Sequence, residues 1–173
     1  SGLDPQVCVQ GGLQSFQAGQ AKRLDVRTPG QLYLVTSGKP RSSTGACVEL
    51  VRQQQHPAEF WQQFADLENA IETLLLASDS TNLAALVELL KTNHRLLQSL
   101  HVVPAKVANF IAQVEQTGGA GKVCGAGSVT GEQGGLLLLA GIADLQVQAL
   151  CDQSGYQYWP LQWQQQGVAY GVQ

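Results

Sequence analysis

No part of this sequence leaves fewer folds open than Lys122-Val-Cys-Gly-Ala-Gly-Ser-Val-Thr-Gly-Glu-Gln-Gly-Gly135 and the apolar run Leu136–Ala140 behind it. Together they read as a short strand, a loop and a buried strand. Gly125, Gly127, Gly131, Gly134 and Gly135 permit positive φ and close approach of the backbone. Such a loop can turn several N–H groups toward one anion with no side chain in the way. The same residues also serve as a plain turn between two strands, so the role of the loop depends on its surroundings.

The 173 residues suit one domain or one large piece of a longer protein, and an apolar fraction of 44% is ample for a core. A net charge of −3 argues against nucleic acid or an anionic membrane held by a general positive field. Phosphate chemistry would therefore need a local site. No apolar run approaches the ~20 residues of a membrane span. Cys8, Cys47, Cys124 and Cys151 lack C-x-x-C spacing, so free thiols and a reducing, cytoplasmic setting are expected, with Cys8 and Cys47 buried. His56, His94 and His101 are not at metal-ligand spacings, and no metal site is assigned to side chains. The chain has no methionine and opens on Ser-Gly-Leu-Asp-Pro, which is expected of a fragment or an isolated domain.

Taken in order, Asp4 precedes Pro5 and is expected in an extended or turn conformation. Strands are expected over Leu13–Phe16 and Lys22–Val26, joined by a turn at Ala18-Gly-Gln, with another turn at Pro29-Gly30. Leu32–Val35 reads as a buried strand. The polar loop Thr36-Ser-Gly-Lys-Pro-Arg-Ser-Ser-Thr-Gly45 follows, with cations at Lys39 and Arg41. Ser43 or Thr44 then caps a helix running to about Gln55. A helix start facing a cationic, hydroxyl-rich loop suits an anion, and a capped turn is the plainer alternative.

Helices are expected from Pro57 on, with Phe60, Phe64, Leu67, Ile71 and Leu74 inward, then over Leu83–Leu100 and from Pro104 to Thr117. Asp79–Asn82 separates the first two, Gly118-Gly119 ends the third, and Asn93-His94 sits inside the apolar stripe of the second. Ile142–Asp152 reads as a further helix with Leu145, Val147 and Leu150 apolar. The tail alternates as two short strands, one at Tyr156 and Tyr158 and one through Tyr170 and Val172, with Trp159 and Trp163 packing on the sheet. Strands, clustered helices and strands again give an α+β fold, a layer of helices on a largely antiparallel sheet.

Three stretches occur in a fixed order: Ser1-Gly-Leu-Asp-Pro5 leading to Gly11-Gly12, Thr36–Thr44, and Lys122–Gly127. This order resembles the C-terminal domain of the GHMP small-molecule kinases, most of all the mevalonate kinase branch, which Asn93-His-Arg-Leu-Leu97 also matches. The resemblance covers residues 1–173 and implies a ferredoxin-like sheet with a helical layer. It implies that Asp4 acts on the acceptor hydroxyl as base or orienter, and that Ser43 and Thr44 lie on the substrate side. Gly125, Ala126, Gly127 and Ser128 would form the nucleotide-phosphate loop, with Lys39 and Arg41 as nearby cations. ATP and Mg²⁺ would be the cofactors, a mevalonate-type alcohol the acceptor, and the protein's own N-terminal domain the partner, with room for a homodimer.

Two departures from the family pattern stand out. Ser128-Val-Thr-Gly-Glu-Gln133 interrupts what is elsewhere a near-continuous glycine run, and the family's N-terminal nucleotide-binding half is absent. The fragment alone is expected to be inactive. Rival readings are a kinase of phosphomevalonate, homoserine or a sugar, and a non-catalytic ligand-binding or oligomerisation module of the same fold.

Overall fold

The computed structural model describes residues 2–17, 19–26, 30–77, 83–162 and 164–168. The turn residues Ala18 and Pro29, the Asp79–Asn82 break, Trp163 and the tail strand through Tyr170 and Val172 lie outside the described residues, as does Ser1. In chain order the elements are α1 (Leu3–Gln10), β1 (Leu13–Gln17), β2 (Gln20–Leu24), β3 (Leu32–Thr36), α2 (Thr44–Gln53), α3 (Ala58–Leu76) and α4 (Leu83–Ser99). They continue as α5 (Ala105–Gln116), β4 (Ala120–Val123), β5 (Leu136–Ala140), α6 (Asp144–Ser154) and β6 (Gln157–Pro160).

β3 to β6 form one antiparallel sheet in the order β4-β5-β3-β6. Each outer strand is reached through helices that skip one strand, which is the split βαβ arrangement of a ferredoxin-like fold. The pleat sends alternate residues to opposite faces. Tyr33, Val35, Val123, Leu137 and Leu139 meet Val107, Phe110, Ile111 and Val114 of α5 and Val147 and Cys151 of α6. The intervening residues Leu32, Ala120 and Ala140 pack with Leu86, Val87 and Leu90 of α4. A third cluster joins Cys47 of α2 to Leu100 and Val102 beyond α4, with Phe60, Phe64, Ala126 and Val129 against it. This last cluster fixes the glycine-rich loop to the helices.

Three expectations need correction. Asp4 is helical, in the first turn of α1. Pro5 is tolerated there because the first N–H groups of a helix have no internal partner to lose. α1 buries no residue, so Cys8 is exposed, whereas Cys47 is buried. β2 begins at Gln20 rather than Lys22, because Gln17 pairs directly with Gln20 in a tight hairpin. Leu145 is 78% exposed, since Val147 and Cys151, one turn apart, define the buried face of α6 and Leu145 lies on the other side. Among the described residues β1 and β2 pair only with each other.

Candidate functional site

The hydroxyl-rich loop after β3 and the glycine-rich loop after β4 are clasped together, and three serines hold them. Ser37, 6% exposed, donates its N–H and its Oγ–H to Gly135 O at 2.9 and 3.0 Å, while its Oγ accepts from Gly134 N at 2.9 Å. Ser42 Oγ accepts from Val129 N and Thr130 N at 3.2 and 3.1 Å and shares a 2.9 Å hydrogen bond with Thr130 Oγ1. Ser42 N in turn donates to Ser128 Oγ at 3.2 Å, and that hydroxyl donates to Thr130 O at 2.7 Å. Buried backbone donors and acceptors need such partners, and here two loops satisfy one another.

Within the glycine loop the residues differ in kind. Gly127 has φ 67°, and a Cβ on it would stand 2.0 Å from Val102 O, so only glycine fits. Gly125 has φ 77° but open space where a side chain would be. Ser128 is 1% exposed and its hydroxyl is consumed by the clasp, so within Gly125–Ser128 the surface is backbone at Gly125 and the methyl of Ala126. The Glu132 carboxylate pairs with Lys106 Nζ of α5 at 3.5 Å.

Ser43 is the N-cap of α2, its Oγ accepting from Ala46 N at 3.2 Å, and Thr44 is the first helical residue, exposed. No acidic residue occupies the first turn. Lys39 and Arg41 are exposed on the same loop, and neither enters an ion pair among the described residues. The Arg41 stem lies against Gly131, where a Cβ would be 2.9 Å from Arg41 Cδ. A helix N-terminus with two cations before it and no carboxylate in its first turn attracts an anion.

Beside this junction lies a cleft of about 440 Å³ in which Gly125 and Ala126 meet Val51, Trp61, Leu97 and Val102. Arg52 and His56 stand on its wall, and His56 stacks on Phe60 with centroids 3.9 Å apart. The lining is mainly apolar.

Asp4 stands apart from these groups in the contacts observed. It is exposed on α1, which packs on the β1–β2 hairpin and the tail, where Val168 N donates to Cys8 O at 2.9 Å. Among the described residues no ion pair involves Asp4, and no hydrogen bond links it to Thr44 or the glycine loop. The clasp thus joins the loop that carries Lys39, Arg41, Ser43 and Thr44 to the loop that carries Gly125–Ser128, and Asp4 lies on a separate element. Ser37 and Ser42 were not singled out from sequence. Their one signal was the run of hydroxyls between β3 and α2. Among the described residues no group of three or more His, Cys, Asp or Glu side chains is placed to hold a metal ion. No described helix is long and apolar enough to cross a membrane.

The sequence matches no family model and no curated protein. Its fold matches solved kinases. Mevalonate kinase from L. major, in complex with R-mevalonate, is 21% identical with a TM-score of 0.63 over 85% of this chain and 47% of its own. Mevalonate kinase from Methanococcus jannaschii is 13% identical, TM-score 0.62, over 85% of this chain and 45% of its own. Phosphomevalonate kinase from Streptococcus pneumoniae, in complex with phosphomevalonate and AMPPNP, is 12% identical, TM-score 0.66, over 82% of this chain and 43% of its own. The chain thus spans about half the length of the structures it matches, and the shared fold is that of the GHMP kinase C-terminal domain.

Proposed function

We propose that this chain is the C-terminal part of an ATP-dependent GHMP-type kinase that phosphorylates a mevalonate-type alcohol, with its N-terminal half completing the nucleotide site. The observation that carries the reading is the serine clasp. It sets a glycine loop beside a helix N-terminus flanked by Lys39 and Arg41, within a fold shared with mevalonate and phosphomevalonate kinases. Phosphoryl transfer asks mainly for positioning and charge stabilisation, and backbone N–H groups with two cations supply both without a covalent step. The donor set therefore fits a phosphate. Mg²⁺ would neutralise charge on the transferring phosphoryl group and, in sites of this chemistry, is held largely by the phosphates themselves.

Asp4 is assigned the acceptor end. As the acceptor oxygen bonds to the γ-phosphorus and the bond to the β-phosphate oxygen breaks, the hydroxyl proton passes to the Asp4 carboxylate and ADP leaves. Thr44 and Ser43 border the acceptor, and Gly125 and Ala126 face the phosphates through their backbone, with Gly127 and Ser128 as the braces of that loop. Free thiols at all four cysteines support a reducing, cytoplasmic setting.

The test is Asp4→Asn in the protein carrying both halves, read as mevalonate-dependent ADP release. Turnover is expected to fall roughly 10²–10⁴-fold. Turnover near the parent's removes Asp4 from the chemistry. One observation favours a second acceptor reading: the mainly apolar cleft beside Gly125 and Ala126 suits an acceptor with a larger hydrocarbon body than mevalonate. Comparing acceptors in the same assay decides between them.

A further inference from the structure

Residues 128–135, where the chain departs from the family's glycine run, lie along the loop of residues 38–42. Ser42 is hydrogen-bonded to Thr130, a Cβ on Gly135 would stand 3.2 Å from Pro40 Cγ, and one on Gly38 would stand 2.9 Å from Gln133 Cγ. Between these contacts Gly131 meets Arg41. Gly131 has φ 80°, and a Cβ on it would stand 2.9, 3.2 and 3.3 Å from Cδ, Cγ and Cβ of Arg41. Those carbons are consecutive, so the Arg41 stem lies along the bare backbone of Gly131. Its Cβ end is fixed by its own backbone, and a side chain at Gly131 would therefore displace the whole arginine rather than its tip. A glycine that serves only a turn looks different. Gly118 and Gly125 also have positive φ, but a Cβ on either would meet nothing within 4 Å.

The charge carried by this stem is left available. Arg41 is exposed and enters no ion pair among the described residues. The one carboxylate in residues 128–135, Glu132, is paired with Lys106 Nζ at 3.5 Å. A packed stem with a solvated head is the posture of an amphipathic cation. Fixing the stem before a ligand arrives reduces the entropy lost when the guanidinium fork closes on phosphate oxygens. Phosphoryl transfer rewards charge that is already in place.

We propose that Gly131 is a positioning residue for phosphoryl transfer: its backbone is the track that holds the Arg41 stem, and Arg41 so held is the cation that meets the phosphate. The inference rests on the kinase reading and gives a role to the segment that interrupts the glycine run.

The experiment follows mevalonate-dependent ADP release in the protein carrying both halves, with ATP varied, for Gly131→Ala, Arg41→Ala, the two together and Gly118→Ala. Gly118 follows α5, and its variant carries comparable backbone strain with no neighbour to displace. Arg41→Ala is expected to lower kcat/KM for ATP roughly tenfold to a hundredfold, the loss of a charged hydrogen bond to phosphate. Gly131→Ala is expected to lose a large part of the same factor, and Gly118→Ala to keep the parent's kinetics. The double variant is expected to be no slower than Arg41→Ala alone, because without the stem the track has nothing to hold. A general structural role for Gly131 would instead multiply the two losses. Should Gly131→Ala fail to fold, Gly131→Asn brings the same Cβ on a residue that tolerates left-handed backbone. Parental kinetics in Gly131→Ala or Arg41→Ala, losses that multiply, or an equal loss in Gly118→Ala overturns the proposal and leaves the kinase reading standing. A parent that releases no ADP with any of the acceptors named above overturns the kinase reading, and this inference with it.

Discussion

At the scale of single residues, His94 is the most consequential buried group. It is 4% exposed on α4, its Nδ1 has no partner, and burial, with Arg95 adding to it, lowers its pKa to about 4. The folded chain holds this imidazole neutral, whereas the unfolded chain protonates it near 6.5. Its folded pKa is the lower one, so full stability is present above about 6.5 and is lost as pH falls toward 4, by on the order of 2–3 kcal/mol. Urea midpoints at pH 7.5 and 4.5 check this, and His94→Leu is expected to remove most of the difference. An equal fall in the variant would assign the pH dependence elsewhere. The glycines give a second contrast. Gly127→Ala meets both a positive φ and the Val102 carbonyl and is expected to cost upwards of about 3 kcal/mol, while Gly125→Ala meets only the positive φ and costs about 1 kcal/mol. Equal denaturation midpoints for the two would refute this ordering. The glycine run was legible as a loop and His94 as a buried residue, because both depend on local composition and period. Which glycine is packed was not legible, because the obstructing carbonyl comes from the segment beyond α4.

At the scale of elements, the clasp between the two loops rests on Ser42. Ser42→Ala removes the acceptor for Val129 N and Thr130 N and is expected to cost about 1–3 kcal/mol, with amide exchange at Val129 quickened and that at Leu137 in β5 unchanged. Unchanged exchange at Val129 would show that other contacts hold the loop. The helices α2 to α5 were legible because each carries a periodic apolar stripe and a stop or start signal, Ser43 and Pro57 at two starts and Gly118 after the last. α1 was not, because it has no apolar stripe to bury and a proline in its first turn, so its local pattern argues against helix. The serine pairing was hidden for a different reason. It joins two loops far apart in sequence, and nothing in either loop names the other.

At the scale of the molecule, the alternation of strands and helices gave the α+β class and the antiparallel sheet, and the order β4-β5-β3-β6 emerges only from pairings across the whole chain. That order has an energetic consequence. β3 and β5 are central, with Val35, Leu137 and Leu139 completely buried against α5 and α6. The β1–β2 hairpin is a two-stranded sheet whose single buried residue among those described is Leu24, backed by a helix that buries none. An isolated pair of strands is marginal in water, and here its ties to the body include the Lys22–Glu72 ion pair and the Ser15–Glu72 hydrogen bond. A surface pair of this kind contributes little. The hairpin should therefore open by itself, well before the sheet does. Native-state hydrogen exchange is expected to show protection in β3 and β5 at the global limit, and protection in β1 and β2 lower by roughly a hundredfold or more. Glu72→Gln should lower the hairpin further and leave the sheet unmoved. Equal protection in both sheets would mean that α1, the hairpin and the four-stranded sheet unfold as one unit, and that the hairpin is held more firmly than its visible contacts explain.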